Sequence, residues 1–282
     1  MLIDSHCHVQ FHAYKDDRAE IIRRAVEAGI RMITVGTQKD TSQIAVLTAR
    51  DFPGVFASVG LHPNHLTAMK FDEDELSIKT RSEKFDEDVY RQLADDSKVV
   101  AIGECGLDYY RLPDNLPPEE VKELQRQTFL GHIKLATDID LPLIVHCRDA
   151  YDDVYSMLHK EIHDGHLVRH GVIHSFCGSW RDAERFLDLG FYIGINGIVT
   201  FPPKKDQTES LADVVKKIPP DRLLLETDAP YLTPAPHRGK RNEPAFVLHV
   251  AEALASILGL SFTELESRTT KNTVTLFQRL TP

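Results

Sequence analysis

Side chains of the kind that bind metals follow buried, strand-like segments at five places along the chain. They are His6 and His8, Glu104, His146, His174 and Asp228. Neutral imidazoles and carboxylates are the groups that hold divalent metals in proteins. Residues so far apart in the sequence meet only if the segments before them surround a common axis. This requirement favours a fold whose strands form a ring.

The order of the predicted elements agrees with such a ring. Strands are predicted at 1–4, 31–35, 55–59, 99–103, 143–145, 171–173, 192–195 and 223–225. Helices are predicted at 16–29, 42–50, 118–138, 150–160, 180–189, 209–217, 244–258 and 263–280. Strands that alternate with helices predict an α/β fold, a (β/α)8 TIM barrel. A length of 282 residues, 42% of them hydrophobic, is enough for one full core. We therefore expect residues 1–282 to form a single domain.

The connection between the third and fourth predicted strands is a long acidic insertion over residues 65–97. Its acidic runs lie at 72–75 and 86–88, and a helix is predicted near 86–94. Two interpretations stay open for this segment: a solvated insertion, or a lid that limits access of the substrate to the catalytic face.

Charge and cysteine content exclude several classes of protein. A net charge of −10 argues against a generic basic coat for nucleic acid but allows a local phosphate site. No apolar run approaches the roughly 18 residues of a membrane span, and Asp4 interrupts the beginning of the chain. We therefore expect a cytoplasmic protein without membrane contact. Four cysteines without CxxC spacing, Cys7, Cys105, Cys147 and Cys177, are expected to be small buried apolar residues.

Six candidate ligands exceed the needs of one tetrahedral site. Two divalent ions about 3.5 to 4 Å apart and sharing one carboxylate would use them all. Glu104 is the expected bridge, with His6, His8 and Asp228 on one ion and His146 and His174 on the other. A lone histidine is more often a packed core residue than a metal ligand. Burying four imidazoles and two carboxylates close together without a metal, however, would leave polar groups uncompensated at a high cost in free energy.

The motifs around these residues resemble those of the TatD family of metal-dependent deoxyribonucleases. They are DSHCH at 4–8, GECGLDYY at 103–110, HCR at 146–148, HSF at 174–176, ETDAPYL at 226–232 and PHRGKRNEP at 236–244. The resemblance implies metal-dependent hydrolysis of DNA, often 3′ to 5′ exonucleolytic, in DNA degradation or repair. The chain departs from the family in the longer third connection and in an exchange of Ser175 and Cys177 relative to the usual His-Cys-Phe-Ser order.

The expected reaction is hydrolysis of a phosphodiester, on single-stranded or frayed ends, by a hydroxide that two metals activate. Asp228 is expected to orient the water, Glu104 to bridge the ions and His62 to contact a phosphate oxygen. Further candidates for phosphate binding are Arg148, Arg238 and Arg241, with Lys204, Lys205 and Lys240 nearby in the last loops. Arg148 has an alternative role in a salt bridge to Asp149, Asp152 or Glu104.

Two other functions compete with this hypothesis. The same pair of ions suits an amidohydrolase acting on a small ester, lactone or cyclic amide. A filled, non-catalytic metal scaffold belongs to a different class. The expected cofactors are two divalent ions, Mg²⁺, Mn²⁺ or Zn²⁺. The expected partner is DNA bound locally at an end, with no obligate protein partner.

Overall fold

A computed structural model describes residues 1–68, 82–110, 112–167, 169–203 and 209–280. Its strands are β1 (Leu2–Cys7), β2 (Ile30–Val35), β3 (Val55–Val59), β4 (Val99–Asp108), β5 (Leu143–Arg148), β6 (Gly171–Ile173), β7 (Tyr192–Ile195) and β8 (Leu223–Leu225). Its α-helices are α1 (Arg18–Glu27), α2 (Lys39–Asp51), α3 (Glu87–Ala94), α4 (Pro118–Asp138), α5 (Tyr151–His163), α6 (Trp180–Asp188), α7 (Leu211–Val215), α8 (Val247–Leu258) and α9 (Phe262–Leu276).

The eight strands form one parallel sheet in the order of the sequence, β1 to β8. Hydrogen bonds between β1 and the segment after β8 bring the two edges together. The His8 N–H donates to the Ala229 carbonyl oxygen (2.7 Å), and the Asp228 N–H donates to the His6 carbonyl oxygen (2.9 Å). Asp4 accepts a further hydrogen bond from the Thr227 N–H at 2.9 Å. The predicted (β/α)8 barrel is therefore confirmed.

Three strands that carry candidate ligands run further than predicted. β1 continues to Cys7, β4 to Asp108 and β5 to Arg148. The sequence prediction ended each strand near its first polar residue, because a buried strand of a parallel sheet is usually apolar. Here the pairing continues through the polar residues, whose side chains lie at the carboxyl end of the barrel. β3, β6, β7 and β8 have the predicted bounds.

The helix predicted within the acidic insertion is α3. The Asp86 side chain accepts a hydrogen bond from the Val89 N–H, as the capping residue of a helix does. Helix α4 has the predicted bounds. Residues 69–81, which include the first acidic run, lie outside the described residues, and so do Lys204 and Lys205.

The apolar side chains form two separate cores, and the carboxyl end of the barrel carries polar groups. One large core lies between strands and helices, and it includes Val55, Phe129 and Leu254. A second core contains residues that alternate with these along the strands, such as Ile3 and Ile33, together with Phe277 from beyond α9. Among the described residues, no single helix is long and apolar enough to span a membrane. The helices Pro244–Leu258 and Phe262–Leu276 reach that length and apolarity only when taken together, and they meet at a bend of 110°.

The expectation that all four cysteines are buried is wrong for one of them. Cys7, Cys105 and Cys147 are buried, whereas Cys177 is exposed. Cys177 follows β6 by several residues, so the alternation of faces along a strand no longer applies there.

His132 on α4 supports the loop that follows β3. Its Nδ1–H donates to the Thr128 carbonyl oxygen (2.8 Å), so its Nε2 is free to accept a hydrogen bond from the Leu61 N–H (3.0 Å). Leu61 precedes His62, and His132 therefore fixes the backbone that presents His62. Burial lowers the pKa of His132 to about 4.

This buried imidazole should make stability depend on pH. The unfolded chain takes up the His132 proton near pH 6.5 and the folded chain only near pH 4, so its stabilising contribution is complete above pH 6.5 and is lost as the pH falls. Between pH 7 and pH 5 we expect the wild-type free energy of unfolding to fall by about 2 kcal/mol relative to that of His132→Gln. Urea unfolding at both pH values measures this, with the exposed His163→Gln as control. A His132→Gln difference that stays constant with pH would contradict the assignment.

Candidate metal centre

The polar residues at the carboxyl end of the barrel surround one cavity of about 850 Å³. Among its lining residues are His8, His62, Glu104, His146, His174 and Asp228. His6 lies directly beneath, with its ring stacked on that of His174 at 3.4 Å between centroids. The structure thus brings all six predicted ligands to one place.

His6, His8 and Asp228 form the first cluster of ligand-type atoms. The two imidazole Nε2 atoms are 3.1 Å apart. Asp228 Oδ1 lies 3.7 Å from His6 Nε2 and 3.4 Å from His8 Nε2. Asp228 has a φ of 57°, a left-handed conformation that is uncommon outside glycine and that tends to occur at functional sites.

Glu104 lies between this cluster and a second group of imidazoles, those of His62, His146 and His174. One of its carboxylate oxygens faces each group. Its Oε2 is 3.4 Å from His6 Nε2 and 3.9 Å from His8 Nε2. Its Oε1 is 3.0 Å from His146 Nδ1, 3.4 Å from His62 Nε2 and 3.9 Å from His174 Nε2. A carboxylate with its two oxygens divided in this way is suited to bridge two cations.

Hydrogen bonds on the far side of each ring determine which nitrogen can act as a ligand. His8 Nδ1–H donates to the Val35 carbonyl oxygen (2.7 Å), and His174 Nδ1–H donates to Glu226 Oε2 (3.0 Å). The lone pair of each ring is therefore on Nε2, which points at Glu104 and Asp228. In His62 the two ring nitrogens have the opposite roles. Its Nδ1 accepts a hydrogen bond from the Asn64 N–H (3.1 Å), so its Nε2 carries the proton. His62 is thus a hydrogen-bond donor to the cavity.

The ionisable groups of the centre shift one another's pKa values. Burial alone would raise the pKa of Glu104, but the imidazoles of His62 and His6 lower it well below its usual range. Burial and the neighbouring His146 lower the pKa of His62 to about 3, which keeps this ring neutral. Burial would lower the pKa of His146, yet its hydrogen bonds to Asp108 and Glu104 raise it to about 10. Two carboxylates thus hold a positive charge on His146 where the chain is free of metal.

Two buried carboxylates were not among the predicted site residues. Glu226 accepts from His174 and from the Ser175 N–H (2.9 Å), and its side chain is fully buried. Asp108 Oδ2 accepts from His146 Nε2 at 3.0 Å and is also buried. Both lie within the motifs at 226–232 and 103–110. Glu226 precedes Asp228 by two residues, and Asp108 follows Glu104 by four. Their contacts with His174 and His146 join segments 52 and 38 residues apart, so no local signal in the sequence indicated them.

The predicted phosphate-binding residues lie in different surroundings. His62 and Arg148 line the cavity, and Arg148 lies over the Tyr110 ring at 3.7 Å from its centroid. Arg238 lies over the ring of Phe201, itself a lining residue, at 3.5 Å. Arg241 is bonded to Asp17 and to the Ala13 carbonyl oxygen, so its guanidinium is engaged away from the lining residues.

The donor set fits divalent cations. Two tetrahedral ligands at about 2.0 to 2.1 Å from a zinc ion are about 3.3 Å apart, close to the 3.1 Å between His6 Nε2 and His8 Nε2. Hydrogen bonds behind the rings, such as that from His174 to Glu226, are typical around metal ligands.

A TIM barrel that collects imidazoles and carboxylates at the carboxyl ends of its strands defines a metal-dependent hydrolase. Comparison with known proteins agrees. Residues 3–278 match the family of TatD related DNases. The chain belongs to this family.

Relatives and solved structures extend over nearly the whole chain. The chain is 38% identical over 279 residues to a protein of Bacillus subtilis described as the uncharacterized metal-dependent hydrolase YabD, covering 99% of each chain. It is 34% identical over 269 residues to the 3′-5′ ssDNA/RNA exonuclease TatD of Klebsiella pneumoniae, covering 94% of this chain and 93% of the other. The crystal structure of YjjV, a TatD homologue from Escherichia coli, superimposes with a TM-score of 0.82 at 32% identity, covering 100% and 98%.

Proposed function

We propose that this hydrolase is a deoxyribonuclease that removes nucleotides from the 3′ ends of single-stranded or frayed DNA. The observation that carries the proposal is the position of Glu104, whose two carboxylate oxygens face two separate groups of imidazoles at the floor of one cavity. The relative from Klebsiella pneumoniae, described as a 3′-5′ ssDNA/RNA exonuclease, supports the choice of substrate.

The proposed metal ligands are His6, His8, Glu104, His146, His174 and Asp228. Together they would hold two divalent ions, Mg²⁺, Mn²⁺ or Zn²⁺, with Glu104 shared. When bound, the ions supply Lewis acidity, which lowers the pKa of water and stabilises negative charge on phosphoryl oxygens. Glu226 and Asp108 orient His174 and His146 for this task.

The protein's own groups position the phosphodiester and move the proton. Asp228 Oδ1 lies at the cavity floor, where it can orient the attacking water and accept its proton. His62 Nε2–H donates to a non-bridging phosphate oxygen, and its pKa of about 3 keeps it a neutral donor at any working pH. Arg148, which lines the same cavity, supplies a cation for the next phosphate.

Arg238 and Arg241 contribute less to phosphate binding in this proposal than the sequence suggested. Arg241 already has a carboxylate partner, Asp17, so its charge is compensated. Arg238 is held against Phe201 beside the cavity. A single-domain, cytoplasmic enzyme that needs no protein partner remains the prediction from the sequence.

Timed digestion of end-labelled oligonucleotides tests the function. Single- and double-stranded DNA is incubated with Mg²⁺, Mn²⁺ or Zn²⁺ in turn, and a panel of esters, lactones and cyclic amides serves as the alternative. Successive loss of nucleotides from the 3′ end of single strands supports the proposal. Inert DNA together with rapid turnover of a lactone would favour the amidohydrolase function instead.

His62→Ala separates phosphate binding from metal binding. We expect kcat/KM for DNA to fall about 100-fold, as it does when one donor to a developing oxyanion is removed. Metal content should stay unchanged, because the proton on His62 Nε2 prevents this atom from acting as a ligand. Elemental analysis and single-strand digestion measure the two effects. Loss of metal in His62→Ala would mean that His62 is a ligand.

A further inference from the structure

Tyr110 and Arg148 form a stack at the rim of the cavity. The guanidinium of Arg148 lies 3.7 Å from the centroid of the Tyr110 ring, and both residues line the cavity. Tyr110 is 54% exposed, a high value for a large aromatic residue. Tyr110 follows the end of β4 by two residues and Arg148 ends β5, so rigid strands hold this stack beside Glu104 and His146.

A second stack of the same kind lies elsewhere on the rim. The Arg238 guanidinium is 3.5 Å from the centroid of the Phe201 ring, and Phe201 also lines the cavity. Phe201 follows the 3₁₀ helix Gly197–Thr200 after β7, and Arg238 lies in the loop after β8. In the ring of strands, β6 separates the two stacks on one side, and β1 to β3 separate them on the other. The predicted metal ligands His8, Glu104 and Asp228 line the same cavity.

We propose that these two arginine–aromatic stacks bind the nucleobases on either side of the phosphodiester that is cleaved. Aromatic rings and guanidinium planes are the surfaces on which unpaired bases stack, and each such contact changes affinity by about 10- to 100-fold. Both arginines add positive charge near the backbone of the strand, in a protein whose net charge is −10.

The geometry selects single strands over duplexes. A base can enter a stack with Tyr110 or Phe201 only when it has left its neighbours and its pairing partner, which an intact duplex resists. Recognition by stacking is also tolerant of sequence, because every base has two flat faces. This inference rests on the proposed nuclease function and adds to it the residues that recognise the substrate.

The test uses a short oligothymidylate and a twin in which the two nucleotides that flank the cleaved bond lack their bases. We expect the wild type to cleave the normal strand 10- to 100-fold more efficiently than the abasic twin. Tyr110→Leu and Phe201→Leu should each lower this preference, because each variant slows cleavage of the normal strand more than cleavage of the abasic twin. Tyr155→Leu is the matched control, because Tyr155 forms a similar stack with Arg185 on the helical layer, at 4.8 Å. Equal preference in the wild type and both variants would overturn the proposal.

Binding is measured separately, without added divalent ions, by the fluorescence of 2-aminopurine, which is quenched when the base stacks. The label is placed at the last or at the next-to-last position of the strand. The wild type and Tyr155→Leu should quench both positions, and each of the other two variants should restore fluorescence at a different one. Unquenched fluorescence with the wild type would overturn the stacking proposal. Failure of the nuclease function appears differently, as quenched fluorescence without cleavage of either oligonucleotide.

Discussion

Glu104→Gln is expected to lower kcat/KM for single-stranded DNA at least 1000-fold. The amide keeps the shape of the side chain but loses the charge that faces His6 on one side and His146 on the other. A neutral amide is a poor ligand for two cations at once, so we expect the variant to lose metal as well as activity. Elemental analysis of the purified protein, together with digestion of an end-labelled oligonucleotide, measures both losses.

A matched variant separates this effect from a general loss of acidic charge. Glu119 lies on α4, and its side chain is 75% exposed. Glu119→Gln should retain the metal and the activity of the wild type. The bridging role would be refuted by a folded Glu104→Gln protein that contains the normal amount of metal and cleaves DNA at the normal rate.

Gly194→Ala is expected to cause the second large effect, although Gly194 is not itself a predicted ligand. A Cβ atom at this position would lie 2.1 Å from Glu226 Oε1 and 2.4 Å from its carboxyl carbon. Glu226 is fully buried and cannot move aside without giving up its hydrogen bonds to His174 and Ser175. We expect metal affinity to fall about 100-fold, the upper end of the effect of removing a group that orients a ligand.

A double-mutant cycle shows whether Glu226 transmits this effect. In Glu226→Ala the space beside Gly194 is vacated, so adding Gly194→Ala should cost little more in metal affinity or in free energy of unfolding. Metal titrations and urea unfolding of the two single variants and the double variant provide the cycle. Additive losses would contradict the assignment, because they would mean that Gly194→Ala acts through some other contact.

The fold could be predicted because its signals are local. Each buried strand of a parallel barrel appears as a short apolar run, and each following helix as an amphipathic segment. Helix α4 and strands β3, β6, β7 and β8 therefore have the predicted bounds. The ends of β1, β4 and β5 were misplaced because the residues that continue these strands are polar. They face a cavity that only the assembled barrel creates.

The candidate ligands could be proposed because a barrel places the ends of all its strands at one mouth. The carboxylates that hold these ligands in place, Glu226 and Asp108, could not be proposed, since they depend on contacts between distant segments. Glu226 meets His174 across 52 residues, and Asp108 meets His146 across 38. The position of the proton on His62 depends on the local turn to Asn64. The pairing of Arg241 with Asp17 depends on two loops 224 residues apart.

Crystals of the protein soaked in Mn²⁺ and examined by anomalous diffraction test the central claim most directly. The account predicts two peaks about 3.5 to 4 Å apart, on either side of the Glu104 carboxylate. One peak should lie at His6, His8 and Asp228, and the other at His146 and His174. A single peak that Glu104 does not contact, or two peaks that Glu104 does not join, would contradict it.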